Sequence, residues 1–178
     1  VRRTTCRPSW SGLLFLARGE SGGIKLQAEK FDAGELAAEV VGESLLIAPD
    51  RKIEYFAEAA LMTADRKLIK QLLRALVENS VKFTSPGGKI KVNAFECDSK
   101  VIFTVADDGI GIPQEEIGHI FDRFYVVDKA RSKEKGGSGL GLSIVKWIVD
   151  AHGGNIFAKS PETGGTVFTA EFPQDLRL

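Results

Sequence analysis

Residues 65–84 read DRKLIKQLLRALVENSVKFT, residues 85–88 SPGG and residues 89–107 KIKVNAFECDSKVIFTVAD, and this run decides the fold. In the first part Leu68, Ile69, Leu72, Leu73, Leu76 and Val77 recur at spacings of three and four, the signature of one apolar arc on a helix. Asp65 stands where an N-cap belongs, and the pattern stops near Thr84, before the turn. In the last part Ile90, Val92 and Ala94 alternate on one face. A turn around Asp98 reverses the chain, and Val101, Phe103 and Val105 alternate on the way back, which predicts a hairpin. Helix and hairpin each carry one apolar face, and each face needs cover. The pair therefore predicts helices packed on a sheet.

Working outward, Asp32 can N-cap a helix carrying Leu36, Val40, Leu45 and Leu46 that stops before Pro49. Ile53–Phe56 reads as a strand and Ala59–Thr63 as a second one. Residues 114–121 read as a short helix. Residues 138–152 form another amphipathic helix, closed by Gly153 and Gly154. Strands over 155–160 and 166–172 flank the turn PETGG. Residues 11–19 read as the end of a helix closed around Gly19–Gly23, and residues 1–10 as a poorly ordered start. The expected architecture is α+β: a two-layer sandwich with a mixed, mostly antiparallel sheet covered on one face by helices.

Composition removes several classes of function. The 178 residues amount to one average domain, and Lys plus Arg (24) equals Asp plus Glu (24). With no net charge, nothing draws the chain to nucleic acid or to an anionic membrane. LLFLA at residues 13–17 is far too short to span a bilayer. Cys6 and Cys97 make neither a disulfide framework nor a metal spacing, so a reducing compartment is expected. The chain begins at Val1 and its only methionine is Met62, so a fragment of a longer protein is expected.

Four polar or glycine-rich clusters then follow in order. Asp107 opens VADDGIGIP, and period two puts it on the face of Val101, Phe103 and Val105. A carboxylate there is costly without donors. A purine's exocyclic amine would serve, with Gly109 and Gly111 letting backbone approach a flat ring, although an ordinary Asp–Gly turn reads the same way. Asn79, Lys82 and Phe83 project from one side of the helix end. An amide oxygen beside an ammonium suits a magnesium–phosphate cluster, while a solvated helix end with Glu78 pairing Lys82 is the plainer reading.

GGSGLGL (136–142) opens a helix whose free amides can hold an anion, or it is a flexible loop with a cap. Before it, Lys129, Arg131, Lys133 and Lys135 sit in a charged segment that suits a lid over phosphates or a solvated loop. Thr166 shares a strand face with Phe168, Ala170 and Phe172, and its hydroxyl could meet Asp107. There is no GxxxxGK[ST], no GxGxxG within a βαβ unit, no HExxH and no cysteine–histidine cluster.

Taken together, these clusters resemble the catalytic, ATP-binding domain of bacterial sensor histidine kinases, within the superfamily shared with DNA gyrase and mismatch-repair ATPases. LVENSVKFT resembles the N box, DDGIGIP the first glycine box and IFDRFYVVDKA the phenylalanine box. GGSGLGLSIVKWIVDAHGG resembles the second glycine box with its helix, and GGTVF the closing strand. The resemblance covers residues 30–173 and implies the Bergerat-type ATP-binding fold.

It further implies that Asn79 helps bind Mg2+, Lys82 contacts phosphate and Phe83 packs on adenine. Asp107 would accept from the adenine amine, with Gly109, Gly111, Ile112 and Thr166 around it. Gly137, Gly139, Leu140 and Gly141 would line the triphosphate, with Arg131 and Lys133 reaching from the lid. Residues 1–29 are expected to hold the start and a remnant of the dimerisation hairpin, and 30–178 the catalytic domain.

Two departures stand out. Ala75 occupies the position of a second asparagine in the family, or of the water-activating glutamate in gyrase-type ATPases, which argues against independent ATP hydrolysis. The phosphoacceptor histidine with its Leu-Arg-Thr-Pro run is absent from this chain. The implied partners are a dimerisation domain bearing that histidine and a downstream response regulator, with no nucleic acid and no direct membrane contact. A monomeric fragment in the cytoplasm is expected, with any inner-membrane anchor of its parent in segments outside this chain. A regulatory module that holds ATP without transferring phosphate is the second reading, and a serine kinase of the same superfamily a third.

Overall fold

In the computed structural model, residues 10–127 and 139–175 are described. Helix α1 (Trp10–Glu20) leads to strand β1 (Glu29–Asp32), helix α2 (Ala33–Ile47) and strands β2 (Lys52–Ala57) and β3 (Leu61–Ala64). Helix α3 (Arg66–Phe83) and the hairpin β4 (Lys89–Cys97) and β5 (Lys100–Asp107) follow. Helix α4 (Gly141–Ala151) and strands β6 (Asn155–Lys159) and β7 (Thr166–Pro173) complete the order.

The main sheet runs β2-β4-β5-β7-β6, with β2 parallel to β4 and every other pair antiparallel. One face of it is apolar by alternation. Ile90, Val92 and Ala94 of β4, Val101, Phe103 and Val105 of β5, and Phe168, Ala170 and Phe172 of β7 are all buried. Helices α2, α3 and α4 supply the cover, through Leu36 and Val40, Leu72 and Leu76, and Val145 and Ile148. Phe103 meets Phe172 edge to face at 6.0 Å. Fully burying one such side chain stabilises the fold by about 1.5–3 kcal/mol.

Both anticipated caps form. Asp32 accepts from Gly34 N at 2.7 Å and Glu35 N at 3.1 Å, and Asp65 accepts from Leu68 N at 3.2 Å. The Asp65 carboxylate also takes the Gln27 N–H at 2.9 Å, tying the α1–β1 linker to α3. The other end of α3 is closed from outside: the Arg51 guanidinium donates to Thr84 O at 2.9 Å and Val81 O at 3.4 Å.

Two expectations need correcting, and one strand pairing goes beyond them. Residues 114–121 are not a helix. They form successive turns, with Glu116 N bonded to Pro113 O and His119 N to Glu116 O. A segment of two turns with Gly118 inside it lacks the length for a stable helix. Strand β3 pairs not with the main sheet but with β1, a strand that carries no clear alternation, in a separate two-stranded sheet. The described part of the last helix begins at Gly141, because Leu140 is its N-cap.

α1 docks on α4. Leu16 is buried, Phe15 stands edge-on to Trp147 at 5.0 Å, and Glu20 pairs with Arg123. Gly19 allows the close approach, since a Cβ there would fall on the Trp147 indole. Among the described residues no helix is long and apolar enough to cross a membrane.

A candidate nucleotide site at the end of strand β5

Asp107 is the last residue of β5, directly opposite Ile90 of β4 and Thr166 of β7. It extends the inward-facing row that begins at Val101, as the period-two reading predicts, but here the row reaches the rim of the sheet and the side chain is only half-buried. Two donors hold the carboxylate: Ser80 Oγ donates to Oδ2 at 2.7 Å and Gly109 N to Oδ1 at 3.0 Å, and the backbone amide of Thr166 also favours its charged form. Burial raises the Asp107 pKa above the ordinary carboxylate value. The Ser80 hydroxyl and the two backbone amides act in the opposite sense, and the neighbouring Asp108 adds to the rise.

A carboxylate offers about four acceptor positions, so two donors leave it able to accept again. A half-buried acceptor beside glycines fits the amine edge of a planar base.

The surrounding loop is drawn tight by backbone contacts that only glycine permits. A Cβ on Gly109 would lie 2.6 Å from the Phe83 carbonyl, and Ile110 N bonds to that same carbonyl at 3.3 Å. Gly165, at φ +83°, donates to Gly109 O at 2.8 Å and would drive a Cβ to 2.6 Å from Asp107 O. Gly111 has φ +75° and sits against Ser160, whose hydroxyl donates to Gly165 O at 2.6 Å and accepts from Ile112 N at 2.8 Å. Asp107, Gly109, Gly111, Ile112 and Thr166 are thus brought together. The end of α3 joins them through Ser80 and Phe83.

Asn79, Lys82 and Phe83 are half-buried on the last turns of α3, and the Lys82 ammonium stands 5.1 Å from the Phe83 ring centre. Among the described residues no cluster of three or more His, Cys, Asp or Glu could hold a metal. Magnesium suits this sparse donor set, because it commonly takes one or two protein oxygens and draws the rest from phosphate and water.

Gly139, Leu140 and Gly141 lie at the start of α4. Leu140 makes no side-chain cap bond and the first turn carries no acidic residue, and the first amides of a helix are the groups that an anion can meet. Gly139, at φ +69°, packs on the backbone of Phe124, whose N–H it accepts at 3.0 Å. Arg131, Lys133 and Gly137 lie outside the described residues.

Two site residues escaped sequence reasoning. Ser80 occupies the next place on the α3 arc after Leu76 and Val77, and a polar residue on an apolar arc was the available signal. Ser160, before the PETGG turn, gave none.

A half-buried carboxylate at a sheet rim, walled by glycines under a layer of helices, fits a nucleotide-binding α/β sandwich. The chain belongs to the family of histidine kinase-, DNA gyrase B- and HSP90-like ATPases, whose model matches residues 64–176.

Its relatives narrow the class. The chain is 38% identical over 164 residues to the sensor histidine kinase YkoH of Bacillus subtilis, covering 91% of this chain and 35% of that protein. It is 37% identical over 160 residues to the sensor protein CiaH of Streptococcus pneumoniae, with 89% and 36% covered. The catalytic domain of histidine kinase ThkA superposes with a TM-score of 0.72 at 33% identity, over 84% of this chain and 97% of that one. Full-length ShkA in complex with AMPPNP superposes with a TM-score of 0.78 at 28% identity, over 92% and 34%. The chain thus spans about a third of the length of these curated relatives.

Proposed function

We propose that this chain is the ATP-binding catalytic part of a two-component sensor kinase, which holds Mg-ATP and presents its γ-phosphate to a histidine on a separate dimerisation domain. The observation that carries the reading is Asp107, held by Ser80 and Gly109 at the rim of the sheet with acceptor capacity to spare. In this reading Asp107 accepts from the adenine amine, and Phe83 lies against the ring. Gly109, Gly111, Ile112 and Thr166 shape the pocket around the base.

Asn79 supplies an oxygen to Mg2+ and Lys82 an ammonium to phosphate. The α4 amides at Gly139–Gly141 face the triphosphate, joined by Gly137, Arg131 and Lys133 from the preceding segment. Bound ATP supplies the phosphoryl group and Mg2+ the charge neutralisation. The protein's own part is to position them and to keep water from the line of attack. Ala75, half-buried one turn before Asn79, offers no group to activate water, which favours transfer over hydrolysis.

The response regulator is the expected downstream partner, and the cytoplasm the expected location. The test combines this chain with the hairpin domain of its parent and γ-labelled ATP. Acid-labile label on the hairpin, and none on this chain alone, is expected. Nucleotide binding without any transfer would instead assign a regulatory module of the same fold. Acid-stable label on a partner would indicate a serine kinase.

A further inference from the structure

Ser80 is fully buried, and its hydroxyl crosses from α3 to the end of β5. Serines inside helices ordinarily turn back onto their own carbonyls. Ser44 does so, donating to Val40 O at 2.7 Å, and so does Ser143, to Leu140 O at 2.9 Å. Ser80 instead donates to Asp107 Oδ2 at 2.7 Å. A buried hydroxyl is costly unless partnered, and a charged acceptor is its strongest partner. Gly109 N holds the other oxygen, Oδ1, at 3.0 Å. The carboxylate is therefore held from two sides, which restricts the directions in which it can accept again.

We propose that Ser80 is a positioning residue for base selection: its hydroxyl fixes the Asp107 carboxylate so that it favours a purine bearing a 6-amino group over one bearing a 6-oxo group. The inference rests on the nucleotide-site reading above and adds a residue that acts through Asp107. An amine donates to the fixed acceptor, whereas a 6-oxo group opposes it lone pair to lone pair. Without Ser80 the carboxylate turns more freely and loses a donor that favours its charged form. Among the described residues, the other charge acting on Asp107 is Asp108, on the same loop. From α3, β4 and β7 it meets Ser80, Ile90 and Thr166, none of which titrates.

The experiment titrates ATP and inosine triphosphate, each with magnesium, into the wild type, Ser80→Ala and Ser80→Cys. Cysteine keeps the volume and removes the strong donor. ATP affinity is expected to fall about tenfold in both variants, on the order of one hydrogen bond to a charged group. Inosine triphosphate should change less than about twofold, so the preference for ATP collapses. The acid limb of ATP affinity should also move to higher pH in both variants, a change that loosened packing would not produce. Unfolding midpoints without nucleotide check that the fold persists. An unchanged preference in a folded variant overturns the role of Ser80 while leaving the nucleotide site intact. Failure of the wild type to bind either nucleotide overturns the site itself, and this inference with it.

Discussion

His152 couples the stability of this domain to pH. The side chain is buried at the end of α4, with Nε2 3.2 Å from the Asp65 N–H and Nδ1 2.7 Å from Ile148 O. A backbone N–H can only donate and a carbonyl can only accept, so the ring is neutral with its proton on Nδ1. Burial lowers the pKa from its ordinary value of 6.5, against smaller opposing effects of the Ile148 carbonyl and the Asp65 charge. The unfolded chain therefore binds the proton more tightly than the folded one.

The stabilisation is fully present above the unfolded pKa and is lost as pH falls below it, towards the depressed folded value. The limiting slope is about 1.4 kcal/mol per pH unit, so at pH 5.5 the loss is at most about 1.4 kcal/mol. His152→Phe retains a ring against Phe172, which His152 meets edge-on at 6.0 Å, but it strands the Asp65 N–H. That should cost about 1–3 kcal/mol at pH 7.5. Urea unfolding of both proteins at pH 7.5, 6.5 and 5.5, at fixed ionic strength, measures the gap between them. The gap should narrow towards pH 5.5, and groups common to both proteins cancel in the difference. A gap that stays constant across the three pH values would refute a neutral buried His152.

Two glycine substitutions probe the site and the α1 dock separately. Gly165→Ala imposes a left-handed backbone on alanine and pushes a Cβ towards Asp107 O. It should cost about 1–3 kcal/mol and lower nucleotide affinity, as read by thermal unfolding and titration; wild-type affinity would show that the Asp107–Gly165 approach is unimportant. Gly19→Ala collides with the Trp147 indole and should destabilise the α1 dock by about 1–3 kcal/mol. Hydrogen exchange in α1 should rise while the amides of β5 keep their protection; unchanged α1 exchange would refute the close packing.

Much of the fold was legible because its signals are local. Asp32 and Asp65 announce their helices, the α3 arc is periodic, and the β4–β5 alternation places Asp107 before any coordinates exist. Non-local pairing was harder. Residues 29–32 (EKFD) are short and half exposed, so nothing in them predicts a strand, and their partner β3 was therefore assigned no mate. The segment 114–121 carries helix-forming glutamates, yet Pro113 and Gly118 bracket a stretch too short to hold a helix.

At the site, the residues that face a ligand were readable as motifs. Those that hold them were not. Ser80, Ser160 and Arg51 act on atoms 27, 5 and 33 positions away, and only the folded chain brings these together.

The most direct measurement is a calorimetric titration of ATP with magnesium into the wild type and Asp107→Asn. The carboxamide keeps the size of the side chain but places an NH2 where an acceptor is needed. Saturable binding by the wild type, abolished by the substitution, is the result expected of an adenine pocket built on Asp107. Equal binding by both proteins would contradict the assignment of Asp107, and no binding by the wild type would contradict the nucleotide site as a whole.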